Sequence, residues 1–321
     1  MNQRRYKHIR TGFTLVELMV VLLVLGVLLT LLLPALNMVK KATLTVRQKA
    51  QFHTIEVGLE GFRADSDTGD YPDSYLPYPV TAATIGNGDE DYLGAQRLAE
   101  ALIGQDGFGF HPRSLFRRDG RYDSDGDGSI TAADDLVYDL TDPATREENL
   151  KARKGPYVEM ENVNAVQLNA YGKTYDVLSD ASYDASDDYV FSDMYRTFKN
   201  AVTTKMIGMP ILYYKANTSH YTHTHLTANV LNGTAADTNI YMMLDNAAFY
   251  SYPANVHPME QYPDGYSKWY KRTTNPAFPG STTPPPYPRP YRVDSFILQS
   301  AGPDGRYGSE DDVFNFEEKE S

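Results

Sequence analysis

From Gly12 to Lys41 the chain reads GFTLVELMVVLLVLGVLLTLLLPALNMVKK, and this stretch decides what kind of protein it is. Leu18 to Val39 are 22 consecutive residues without a charge. At about 1.5 Å per helical residue they span roughly 33 Å, the thickness of a bilayer's hydrocarbon core. Arg4, Arg5, Lys7 and Arg10 precede the run with no acid among residues 1–12. The positive-inside rule therefore keeps the first twelve residues in the cytoplasm and sends everything after Lys41 outward. A secretory signal is shorter and ends in a small-residue cleavage site, which is missing after Pro34. A buried soluble helix seldom runs so long without a polar face. A plain single-pass anchor passes both tests but leaves Glu17 unexplained, because a carboxylate near the start of an apolar helix costs roughly a few kcal/mol unless it finds a partner. A cut between Gly12 and Phe13 would create an amino group close to Glu17 in sequence. Glu17 of one subunit could then meet the Phe13 amine of its neighbour.

Gly12-Phe13-Thr14-Leu15-Val16-Glu17 followed by a long Leu/Val run resembles the class III signal of type IV pilins and type II secretion pseudopilins. The resemblance implies that a membrane prepilin peptidase cuts after Gly12 and methylates the new terminal Phe13, and that Glu17 supports assembly of a helical filament. It further implies other pilin-like subunits and an inner-membrane assembly platform as partners. Pro34 matches the family's helix-kinking proline; it lacks an amide donor, so a bend or local melting is expected there.

Beyond the membrane, residues 40–66 read as the amphipathic half of the same helix, with Ala42, Leu44, Val46, Ala50, Phe52, Ile55, Val57, Leu59 and Phe62 as its apolar stripe. The run Asp65-Ser66-Asp67-Thr68-Gly69-Asp70-Tyr71-Pro72 ends it, and Gly-x-Tyr-Pro resembles a junction common in pilin-like proteins. Residues 67–321 form the expected head, enlarged by an insertion from about 85 to 205. Helices are expected over 92–104 and 132–140, and strands over 206–215, 240–244 and 295–299. Gly208-Met209-Pro210-Ile211-Leu212-Tyr213-Tyr214 resembles the Gly-x-Pro-aromatic strand entry of major pseudopilin heads. Residues 275–291, NPAFPGSTTPPPYPRPY, read as an extended proline-rich loop. The expected fold class is α+β: a long helix packed on an antiparallel, pilin-like head.

Two acidic loops carry a metal-ligand pattern. In Asp123-Ser124-Asp125-Gly126-Asp127-Gly128-Ser129-Ile130-Thr131-Ala132-Ala133-Asp134, acids stand at positions 1, 3, 5 and 12 and Gly at 6. The Ser129 carbonyl at 7 and the Thr131 oxygen at 9 complete the spacing of an EF-hand calcium loop, which collects hard oxygens around a turn that needs a glycine. Asp134 replaces the usual Glu, and no clear helix precedes the loop, so it resembles the loop-helix of dockerin modules. The second loop, Ser300-Ala301-Gly302-Pro303-Asp304-Gly305-Arg306-Tyr307-Gly308-Ser309-Glu310-Asp311-Asp312-Val313, resembles the terminal calcium loop of major type II pseudopilins. The resemblance carries Ser300 and Asp304 over; either Asp311 or Asp312 supplies the second carboxylate.

The chain has 321 residues, a net charge of -12 and no cysteine. Thiolate metal sites, disulfides and a cysteine nucleophile are excluded, and the acidic balance argues against nucleic acid. An exported head without disulfides has reason to use calcium instead. His220, His223 and His225 form a weak transition-metal pattern, with an exposed polar hairpin as the favoured alternative. No G-x-S-x-G, P-loop, H-E-x-x-H or dinucleotide motif is found, and the chain is read as a non-enzyme. The resulting expectation is a calcium-stabilised subunit of a type II secretion pseudopilus, with an inner-membrane helix and a periplasmic or extracellular head. A type IV pilus subunit, or a membrane-tethered calcium-dependent glycan- or protein-binding protein, are the alternatives.

Overall fold

A computed structural model describes residues 14–74, 92–117, 119–131, 133–172, 188–224, 238–251, 256–261, 264–280 and 287–319. Contacts divide the chain into two units, 1–44 and 45–321. One helix, α1 (Leu15–Asp65), runs through the boundary between them.

In the first unit, α1 continues through Pro34 without the expected melting. The helix runs unbroken across the proline although that residue has no amide to donate. No residue of the apolar span is covered by protein, and Leu15, Leu23 and Leu31 are each more than two-thirds exposed. Apolar surface on that scale requires lipid or other subunits around it.

The second unit is built around a three-stranded antiparallel sheet in the order β5 (Leu212–Lys215), β6 (Phe296–Ser300), β7 (Val313–Phe314). Short pairs flank it: β1 (Ala165–Gln167) with β2 (Tyr189–Phe191), and β3 (Phe198–Lys199) with β4 (Met206–Ile207). Register sorts the central sheet's side chains. Tyr213 opposite Leu298 joins one core, while Tyr214 opposite Ile297 joins another. Both faces are therefore covered, so LYYK and FILQS show no polar alternation.

The first core takes Phe52, Ile55, Leu59 and Phe62 from α1 and Leu98 and Leu102 from α2 (Gly94–Ile103). All ten α2 residues are buried, so part of the expected insertion belongs to the centre of the head. The second core is closed by α4 (Ala247–Ser251) and α5 (Asp264–Thr273), with Trp269 and Tyr270 against Tyr214 and Ile297. A further helix, α3 (Arg146–Ala152), has no buried residue.

The expected stripe on α1 is corrected. Val46 and Val57 are exposed, whereas Gln48 and Gln51 are buried. Their amides are needed by backbone that lies against the helix: Gln51 Nε2 donates to the Val163 carbonyl at 2.7 Å and the Ser192 carbonyl at 2.9 Å, and Met194 N donates to Gln48 Oε1 at 2.9 Å. The expected strand over 206–215 is split at Gly208-Met209-Pro210, and 240–244 enters a 3-10 turn (Met243–Asn246) instead of a strand. That turn places Asn246, whose side chain accepts from Ala95 N at 2.9 Å and donates to the Tyr213 carbonyl at 2.8 Å.

Gly208 faces the Asp193 backbone carbonyl so closely that a Cβ would overlap its oxygen. Gly208→Ala should therefore destabilise the head by about 1–3 kcal/mol, read as a lower denaturant midpoint at unchanged m-value.

Candidate functional site

At the amino-terminal end of α1, Thr14 and Glu17 form a reciprocal cap. Thr14 N and Thr14 Oγ1 both donate to Glu17 Oε2 at 2.8 Å, and Glu17 N donates to Thr14 Oγ1 at 3.3 Å. This is a capping box, and the T-x-x-E spacing carried its signal. Both bonds fall on one oxygen, so Oε1 takes no part in them. Gly12 and Phe13 lie outside the described residues.

The loop from Asp123 to Asp134 folds inward. Ligand oxygens of Asp123, Asp125 and Asp134 all lie within 4.8 Å of one another. Asp123 accepts from Gly126 N at 2.7 Å and Gly128 N at 3.0 Å, and both glycines have positive φ. Asp134 is buried; Thr131 N, at 2.7 Å, and Ser124 N, at 3.0 Å, hold its carboxyl below the usual range. Asp127 stands apart from this trio and accepts from Ser129 N at 2.8 Å. Thr131 Oγ1 donates to Asp134 Oδ2 at 3.2 Å. Three converging carboxylates repel one another unless a cation lies among them, and the donors are hard oxygens, so the residues fit a calcium ion.

The helix expected over 132–140 is absent among the described residues. A two-sided neck closes the loop instead: Arg121 bridges Leu136 antiparallel, and Val137 N donates to the Gly120 carbonyl at 2.6 Å. Val137 is buried and Leu136 exposed, a strand alternation too short to build a helix face. The dockerin-like loop-helix likeness therefore does not extend past the loop. Tyr138 ties the neck to α2 through a 2.8 Å bond to buried Glu100, whose carboxyl burial pushes up.

In the terminal loop, Asp311 is exposed and Asp312 buried. Asp312 Oδ2 accepts from Gly308 N and Gln299 Nε2, each at 2.8 Å, and lies 3.6 Å from the Arg272 guanidinium. Its Oδ1 is buried without a hydrogen-bond partner. Burial pushes the Asp312 carboxyl up to about 8, against the pull of Arg272. The orphaned oxygen fits a cation, but Asp304, Asp311 and Asp312 do not gather as a trio among the described residues. Asp304 accepts from Arg306 N at 2.9 Å, and Ser300 donates to Asp193 at 2.9 Å. Asp193, which sequence reasoning missed, is wholly buried, and burial raises its carboxyl to about 7. Arg272 also donates to the Ser309 and Asp312 carbonyls, giving the loop a guanidinium for a clasp.

His220 and His223 do not converge. His220 Nδ1 is 2.8 Å from the Asn239 carbonyl, whereas His223 is buried with Nε2 2.8 Å from Thr273 Oγ1, and burial lowers its pKa to about 3. His223 is a core residue rather than part of an exposed hairpin. His225 lies outside the described residues.

The fold and the uncovered helix define a membrane-anchored protein with a small-sheet α+β head. Residues 7–33 match the prokaryotic N-terminal methylation motif. With its single long apolar N-terminal helix, the chain fits a type IV pilin-like protein, and the motif implies processing by a prepilin peptidase and assembly with other pilin subunits. No curated protein and no solved structure matches the chain.

Proposed function

We propose that the chain is a non-catalytic structural subunit of a type II secretion pseudopilus, inserted in the inner membrane with its head outside the cytoplasm. The observation that carries this reading is the methylation motif at 7–33 on a helix whose apolar surface has no cover of its own. Cleavage after Gly12 leaves Phe13 as the methylated terminus, and Glu17 meets a neighbour's Phe13 amine. The assembly platform of the inner membrane draws the subunits into the filament. The terminal acidic loop and the Gly208-Pro210 strand entry support a secretion filament over a pilus. Deleting the gene should abolish export of folded proteins while surface pili persist; the reverse outcome makes the chain a pilus subunit.

Calcium deepens this reading. Asp123, Asp125 and Asp134 would hold an ion, with Asp127, the Ser129 carbonyl and Thr131 as the remaining oxygens of the loop. Asp312 would be the carboxylate of a second site, alongside Ser300 and Asp304. An ion at a hundred times its dissociation constant stabilises a fold by about 2.7 kcal/mol. Chelator should therefore lower the melting midpoint by several degrees, and Asp134→Asn should shrink that shift. An identical midpoint with and without chelator removes calcium from the account.

A further inference from the structure

Charge is segregated within the head. Residues 119–148 hold ten acids and two bases, whereas 265–293 hold five bases and no acid in a chain with 42 acids. The two segments are attached to different faces of the central sheet. The acidic one hangs from α2 through Tyr138 and Glu100, on the side of the core shared with α1. The basic one begins with α5, whose Trp269 and Tyr270 pack in the opposite core.

Lys268 and Lys271 stand exposed on the outer side of α5, and neither forms an ion pair among the described residues. With Lys319 they border a groove of about 770 Å³ walled by prolines and tyrosines. Of the two acids there, Glu318 is already engaged by Arg272 at 3.1 Å, which leaves Glu310 alone against three lysines. On the other side, Asp135 and Glu148 are exposed and likewise carry no ion pair among the described residues.

We propose that the α5 groove of one copy receives the acidic 119–148 segment of the next copy. Two complementary patches on opposite faces of one body cannot pair within a single molecule, and between molecules they form a head-to-tail contact, which repeats as an open helix wherever its rotation does not close a ring. A helical polymer needs that symmetry. Complementary charge supplies register and a faster encounter, and juxtaposed like charge rejects other orientations. The inference rests on the filament-subunit reading and adds the head surfaces that mate.

The chain has no cysteine, so introduced pairs report without background. Full-length Lys271→Cys and Glu148→Cys chains, co-produced in the native cell, should be joined by a short bifunctional maleimide. Lys268→Glu with Lys271→Glu should cut crosslinking at a neighbouring reporter pair about tenfold, and Asp135→Lys with Glu148→Lys on the partner copy should restore it. Polymer is measured separately by sedimentation. If polymer forms but the pair does not crosslink, or crosslinks regardless of charge reversal, the inference is overturned and the subunit reading stands. If the unaltered chain forms no polymer, both fall.

Discussion

Glu17→Val should abolish assembly while leaving insertion, cleavage and the head intact. The helix gains hydrophobicity from the change, so membrane insertion is not impaired. The head's cores begin at Phe52 and receive nothing from residue 17. What disappears is the charge that would meet a neighbour's amine in a low-dielectric surrounding, where such a pair is strong and its lone partner costly. Thr14→Val separates this role from capping. It removes the hydroxyl of the cap, costs about 1 kcal/mol locally, and keeps the carboxylate. Sedimentable polymer should fall to background in Glu17→Val and change little in Thr14→Val. Wild-type polymer from Glu17→Val contradicts the role assigned to that carboxylate.

Asp312→Ala should destabilise the head by about 3 kcal/mol or more, because it strips partners from buried Gln299 and Gly308 N and removes one of the two carboxyl groups beside Arg272. Asp312→Asn keeps the shape and should cost much less. The pH dependence separates the two further, in chelator so that no metal competes. The carboxyl ionises near its ordinary value of about 3.8 in the unfolded chain and near 8 in the folded one. Its contribution to stability is thus full below the unfolded value and is lost as pH rises through the folded one. Wild type should lose stability between about pH 4 and pH 8 at this site and level off above that, and Asp312→Asn should flatten that slope. Equal slopes would mean that Asp312 is ionised throughout.

The long helix, its end at Asp65, α2 and β6 were legible because each writes a strong local signal: an uncharged run, a Gly/Asp break, a buried amphipathic decamer, an apolar strand. The helix α5 was not read: Tyr266, Trp269, Tyr270 and Thr273 fall at i, i+3, i+4 and i+7, but their aromatic and polar character hides the stripe. Gln48 and Gln51 were not legible, because their burial answers to carbonyls and amides more than a hundred residues away. The same holds for Asp193, which only Ser300 and the sheet bring into meaning. Of the acidic loops, the first gathers three of its predicted carboxylates. In the second, the choice between Asp311 and Asp312 required knowing which one faces inward. The neck at 120–122 and 135–137 overrode a helical reading because pairing across the loop satisfies backbone groups that a free helix end would expose.

The central claim is that this helix is a processed, assembling one. Mass spectrometry of the amino-terminal peptide, taken from protein isolated in its native membrane, tests it most directly. The account predicts a chain beginning at N-methylated Phe13, and retention of residues 1–12 in Gly12→Ser. A mature terminus at any other residue, or an uncut wild-type chain, would contradict it.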